Sequence, residues 1–241
     1  MTAVEFTGFR PAALDFLRSL RRHNDREWFE RNRVTYDTEL RAPLAALAEE
    51  MDVRLATMAP EIIGDPKRSL FRIHRDVRFS ADKSPYKTHV ACWFHHVDAG
   101  RGVGTSTPHG GAGFYFHMEE SRASLGGGIW MPPRPTLQRI REAIDEDHRP
   151  LTKILAEPGA RRRFGGLAEE NMLTRMPRGY ADTHPAATLL RHQSYTLGRE
   201  IAQRELLSAK LPDLLAREYA RLLPLVRWIN GTLGLRTLAR R

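Results

Sequence analysis

Within LFRIHRDVRFSADKSPYKTH, Leu70 to His89, arginine, lysine, histidine and aspartate are spaced so that several of them can act on one ligand. Strand side chains alternate between faces, so Phe71, Ile73, Val77 and Phe79 are expected together, opposite Arg72, His74, Asp76 and Arg78. Arg72 and Arg78, joined by Lys83 and Lys87 of the following turn, form a donor set suited to a phosphate or carboxylate. Asp76 or His74 is then the candidate proton carrier, and Tyr86 the positioning group. Arg75 falls on the apolar side, where an unpartnered charge is costly, which predicts a carboxylate partner or a bulge that turns it outward. The competing expectation is a salt-bridged sheet surface ending in a tight hairpin.

Other constellations carry weaker chemistry. His117 and Glu119 share a strand face beside Tyr115, and His89 and His95 share parity on the preceding run, a set that can gather around a metal with an open water position. No HExxH or paired-cysteine spacing fixes such a site, and ordinary strand residues explain the same pattern. The glycines of GGGIW, Gly126 to Trp130, allow close backbone approach to a ligand with Trp130 as one wall, or a bend in the sheet. GRGVG at Gly100 lacks the Lys-Ser/Thr ending of a phosphate-binding loop, PRGY at Pro177 reads as a turn, and no GxSxG nucleophile motif is present. Cys92, the single cysteine, lies in the apolar run VACWF and reads as a buried structural thiol.

These residues need a scaffold, and the hydrophobic pattern predicts one. Pro11 opens a helix with Leu14, Phe16, Leu17 and Leu20 on its buried stripe, and Asp25 caps a second helical stretch running from Arg26 to about Met58. Strand-like runs follow at Leu70 to Phe79, His89 to His96, Gly113 to Glu119 and Ala123 to Trp130, with short links that imply antiparallel pairing. After a helix carrying Leu137, Ile140 and Ile144, the chain is less regular until a short helix beyond His184 and a strand near Ser194 to Ile201. A last helix spans roughly Pro212 to Leu233. The expected fold is α+β, a central, mostly antiparallel sheet packed with N-terminal and C-terminal helices in one domain over residues 1–241.

Composition bounds the partners. A chain of 241 residues can bury a substantial core without disulfides, and no segment approaches the roughly 20 apolar residues of a membrane helix. The start, MTAVEFTGFRP, lacks a signal-peptide core, which favours the cytoplasm and no membrane partner. A formal net charge of +9 favours anionic partners. The leading expectation is therefore a protein that binds a small anionic ligand and possesses groups able to transform it. The second is a nucleic-acid-binding module using Trp93, Phe94, Tyr115 and Phe116 between basic residues, and the third a metal-dependent enzyme on His117 and Glu119. RRR at Arg161 to Arg163 reads as a solvated run. The sequence assigns no cofactor and no oligomeric state.

LFRIHRDVRFSADKSPYKTH, with GFYFHMEE, GGGIWMPP, MPRGY and HQSYTLGREI, closely resembles the bacterial and fungal domain of unknown function 2461 family over nearly the whole chain. The resemblance implies one α+β domain and marks Arg72, Arg75, Asp76, Arg78, Phe79, Asp82, Lys83, Pro85, Tyr86 and Lys87 as motif positions. It assigns no reaction, cofactor or catalytic residue. The glycine-rich segment Asp98 to Gly113 looks longer than the family's usual connection and is not expected to be a shared functional loop.

Overall fold

The computed structural model describes residues 5–78, 81–99 and 110–238. The chain begins with α1 (Pro11–Arg22), whose Leu14, Phe16, Leu17 and Leu20 are buried, and Pro11 occupies its first turn as expected. Asp25 caps α2 (Arg26–Arg31) by accepting the Trp28 N–H at 2.8 Å. The stretch read as one helix from Arg26 is in fact interrupted: α3 (Arg33–Tyr36) runs into a π turn (Asp37–Arg41), and α4 (Ala42–Met58) continues from it. The break falls at Asn32, whose side-chain amide donates to the Trp28 carbonyl instead of pointing into solvent.

β1 (Ile62–Ile63), β2 (His89–His96), β3 (Gly113–Glu119), β4 (Ala123–Ile129) and the late β5 (Tyr195–Ile201) form one antiparallel sheet in that spatial order. Between β4 and β5 lie α5 (Arg134–Glu146), α6 (Arg149–Ala156), α7 (Pro158–Phe164) and α8 (Ala187–Arg191); α9 (Gln203–Leu206) and α10 (Leu211–Thr232) follow β5. The fold class is α+β. No helix among the described residues is long and apolar enough to cross a membrane.

One face of the sheet is the core face. Cys92, Phe94, Phe114, Phe116, Met118 and Leu125 are buried there beneath α10 and the N-terminal helices, each such side chain contributing roughly 1.5–3 kcal/mol of apolar burial. Tyr219 of α10 stacks on Phe114 with centroids 4.5 Å apart, and its hydroxyl donates to the Tyr115 carbonyl at 3.0 Å. Burial pushes the Cys92 thiol upward, consistent with an inert structural cysteine.

A charge cluster pins α10 to the sheet. Glu218 is fully buried, accepts from Arg163 at 2.9 Å and Arg199 at 3.1 Å, and lies 3.6 Å from Arg221. Burial alone would raise its carboxyl, but these arginines hold it below the usual range. Arg163 is exposed as expected of the RRR run, yet its guanidinium also reaches the buried carboxylate of Glu218 on α10.

Candidate functional site

The sheet's other face holds a cleft, and the register assembles it. Trp93, Tyr115, Gly126 and Gly198 stand in one cross-strand row, and Ala91, His117, Ser124 and Glu200 in the next. Two glycines beside two aromatics make a trough with a flat floor and a steep side. Phe71, Trp93, Trp130 and Phe164 wall the resulting cleft, whose volume is about 640 Å³. Trp130 is 52% exposed although it is a large aromatic, and the Trp93 indole N–H is buried without a hydrogen-bond partner.

The trough needs its glycines for the backbone as well. Gly128 has φ of 130°, and a Cβ there would lie 2.0 Å from the Tyr195 carbonyl oxygen. A Cβ at Gly198 would lie 2.7 Å from the Leu125 oxygen. The pairing with β5 runs unbroken through these glycines, so they serve close backbone approach, and they also leave the cleft floor bare.

At one end of this floor a hydrogen-bonded line leads away from the cleft. The Tyr115 hydroxyl is 3.0 Å from His117 Nδ1, and His117 Nε2 is 2.9 Å from Glu119 Oε1. Arg122 donates to both Glu119 oxygens, at 3.3 and 3.2 Å. Burial raises the Tyr115 phenol, so it keeps its proton and donates to Nδ1, which leaves the ring's other proton on Nε2 facing Glu119. Glu119 is held below the ordinary range by Arg122 and His117 despite the opposing effect of burial. Both ring nitrogens of His117 are engaged, so the sequence-predicted metal pair His117 and Glu119 is bound to itself instead of presenting free lone pairs. No group of three or more potential metal-ligating side chains gathers among the described residues.

Two further groups border this line. The His89 ring lies 4.6 Å from that of His117, and its pKa is lowered to about 4, chiefly by burial and then by His117 and Lys87. Lys87 sits 5.4 Å above the ring of Phe71, the cleft wall, and its own pKa is lowered by burial and by the nearby charges of Arg72 and Arg75. A partly desolvated lysine among arginines is electrostatically short of an anion.

The segment read as a strand from Leu70 is not one. Leu70 forms an isolated bridge with Cys92 and His74 another with Tyr86, because the partner changes: Phe71 N–H donates to Ala91, whereas Arg75 N–H donates to Pro85 and Lys87 N–H to Ile73. Pro85 has no N–H with which to extend the second ladder. The alternation nonetheless survives, with Ile73 buried and Arg72, His74, Asp76 and Arg78 exposed. Phe79 lies outside the described residues, as does Gly100 to His109 of the glycine-rich segment.

Of the predicted site residues, His74, Lys83 and Tyr86 line one recess with Arg75, and Lys87 lies over Phe71 near Arg72. Arg78 chelates Asp76 at 3.0 and 2.7 Å, which holds that carboxyl far below the usual range and makes it a weak proton acceptor. Lys83 Nζ donates to the Val77 carbonyl at 2.9 Å. Tyr86, read as an exposed positioning group, is buried: its ring stacks on Phe29 at 4.0 Å and lies 5.2 Å from His74, while Asn24 bonds its backbone on both sides. A phenol ring is mostly apolar surface, and α2 supplies a better environment for it than water does. Arg72 alone of the predicted outward arginines makes no ion pair among the described residues, and it acts on Lys87. Arg75 finds a carboxylate, Asp82, at 3.0 Å, although that partner is half exposed rather than buried. The proposed base-stacking aromatics also divide, Trp93 and Tyr115 on the cleft face and Phe94 and Phe116 in the core.

Residues 12–228 match the model of a family described as "Conserved hypothetical protein (DUF2461)", and the chain belongs to that family. No curated protein and no solved structure matches it.

Proposed function

We propose that this member of the conserved hypothetical family binds a small ligand with a flat apolar body and an anionic group, and exchanges a proton with it through Tyr115. The body lies against Trp93 and Phe71 over the glycine floor, and the anion faces Lys87, which sits over the Phe71 ring. The observation that carries this reading is the line Tyr115, His117, Glu119, which starts in the cleft floor and ends on a carboxylate. When the ligand gives a proton to the Tyr115 oxygen, the phenol's own proton passes to His117 Nδ1 and the imidazolium formed is paired with Glu119, so no buried charge is left unpaired; the reverse relay returns the proton to the ligand.

The test is a thermal-shift and calorimetric screen with benzoate, phenyl phosphate and, as the neutral comparator, phenol. The anions are expected to stabilise the parent by about 2.7 kcal/mol at a hundredfold excess over Kd, and phenol by less. Ser124→Leu, which fills the floor, should abolish the effect, and Lys87→Gln should weaken the anions about tenfold while leaving phenol unchanged. Equal responses from the parent and both variants would refute the assignment of the ligand to this cleft.

A further inference from the structure

The MPRGY stretch, read from sequence as a plain turn, borders a second recess of about 700 Å³ that has no residue in common with the cleft. Thr174, Arg175, Arg178, Tyr180, Asp182 and Arg191 contribute to it. The turn is built firmly. Gly179 takes φ of 97°, the Tyr180 N–H returns to the Pro177 carbonyl at 3.3 Å, and the Tyr180 hydroxyl accepts from Gln138 of α5 at 3.2 Å. The Leu173 N–H donates to the Arg191 carbonyl at 2.8 Å, which ties the segment to the end of α8.

What sets this recess apart is its charge. Some exposed arginines take nearby carboxylates, as Arg33 takes Glu30, Arg122 takes Glu119 and Arg149 takes Asp147, while others, such as Arg72, stand singly among the described residues; here three gather around one concave surface. Arg175, Arg178 and Arg191 make no ion pair among the described residues although Asp182 lines the same recess, and Arg191 Nε is shielded from solvent with no hydrogen-bond partner. Three guanidiniums against one carboxylate leave two positive charges that repel one another across a concave surface. We propose that this recess is a binding site for a phosphate group in its dianionic, monoester-like state. That charge balances the recess, its oxygens suit the paired N–H donors of guanidinium groups, and the Thr174 and Tyr180 hydroxyls supply neutral partners.

Inorganic phosphate is the probe, titrated into ¹⁵N-labelled full-length protein at constant ionic strength and followed by amide shifts, with acetate in parallel. Saturable shifts confined to residues 174–182 and 191 are expected with phosphate, and acetate should bind at least tenfold more weakly. The double variant Arg175→Ala/Arg178→Ala, whose side chains are exposed, should lose at least tenfold in phosphate affinity while its spectrum stays folded. Arg161→Ala/Arg162→Ala removes the same charge from the exposed side of α7 and should bind as the parent does. Shifts that do not saturate, equal loss in the two double variants, or equal affinity for acetate would overturn the site. None of these outcomes depends on Tyr115 or the sheet cleft, so the two proposals fail separately.

Discussion

Acid acts on this fold through His89, whose ring is packed against His117 with Lys87 close by. In the unfolded chain the imidazole takes up a proton near the ordinary value of 6.5, whereas in the fold burial and its neighbours delay uptake to about 4. Between those values the unfolded state binds the proton that the folded state refuses. Stability is therefore complete above pH 6.5 and falls as pH drops toward 4, by about 1.36 kcal/mol for each unit. At pH 5 the loss attributable to His89 is about 2 kcal/mol. Urea unfolding of the parent and of His89→Gln at pH 7.5 and pH 5 isolates it, because His192, also lowered by burial, and the carboxylates titrate alike in both proteins. With an m value of about 3 kcal/mol/M, the parent's midpoint should drop by roughly 0.7 M more than the variant's. Equal drops, or an NMR titration that places His89 near 6.5, would refute the claim that this corner of the cleft face resists positive charge. Phenyl phosphate bound beside Lys87 should in turn raise the His89 pKa, which gives the proposed cleft a readout independent of turnover.

Glu218→Gln should destabilise by about 3 kcal/mol, because Arg163 and Arg199 keep their charges while losing the buried carboxylate, and chemical denaturation will read the loss directly. Gly128→Ala should cost at least about 3 kcal/mol, since it combines a strained φ with a 2.0 Å approach to the Tyr195 oxygen; amide exchange should then accelerate at the β4–β5 pairing. Tyr115→Phe should cost about 1–2 kcal/mol by leaving His117 Nδ1 without its donor, and the ¹⁵N shifts of that ring should change while those of His184 do not.

Much of the scaffold is written in local patterns. Pro11 and the leucine spacing place α1, Asp25 caps α2, and four of the expected strands match β2, β3, β4 and β5. The departures have different causes. The short helices α6 and α7 bury only Leu151, Ala160 and Phe164, and the break at Asn32 is marked by one local side-chain hydrogen bond. β1, only two residues long, depends on its distant partner β2, and the pairing of Arg163 with Glu218 joins residues 55 apart.

The candidate site divides along the same line. That His117 and Glu119 share a face beside Tyr115 follows from period-two spacing, but no spacing sets Trp93 across from Tyr115 or brings Gly126 against Gly198, since those neighbours come from register. Charge density misleads at Arg72 to Arg78 for a related reason. Alternation correctly sends Arg72, His74, Asp76 and Arg78 outward, yet outward there is solvent, where Asp76 and Arg78 satisfy each other. The informative residue was Arg75, which breaks the alternation by staying on the apolar side. Its charge reaches Lys87 and His89 beside Phe71. A cation held on the side of a segment that should bury only carbon shows that this side is not wholly core, and Arg75 there lines a recess with His74, Lys83 and Tyr86.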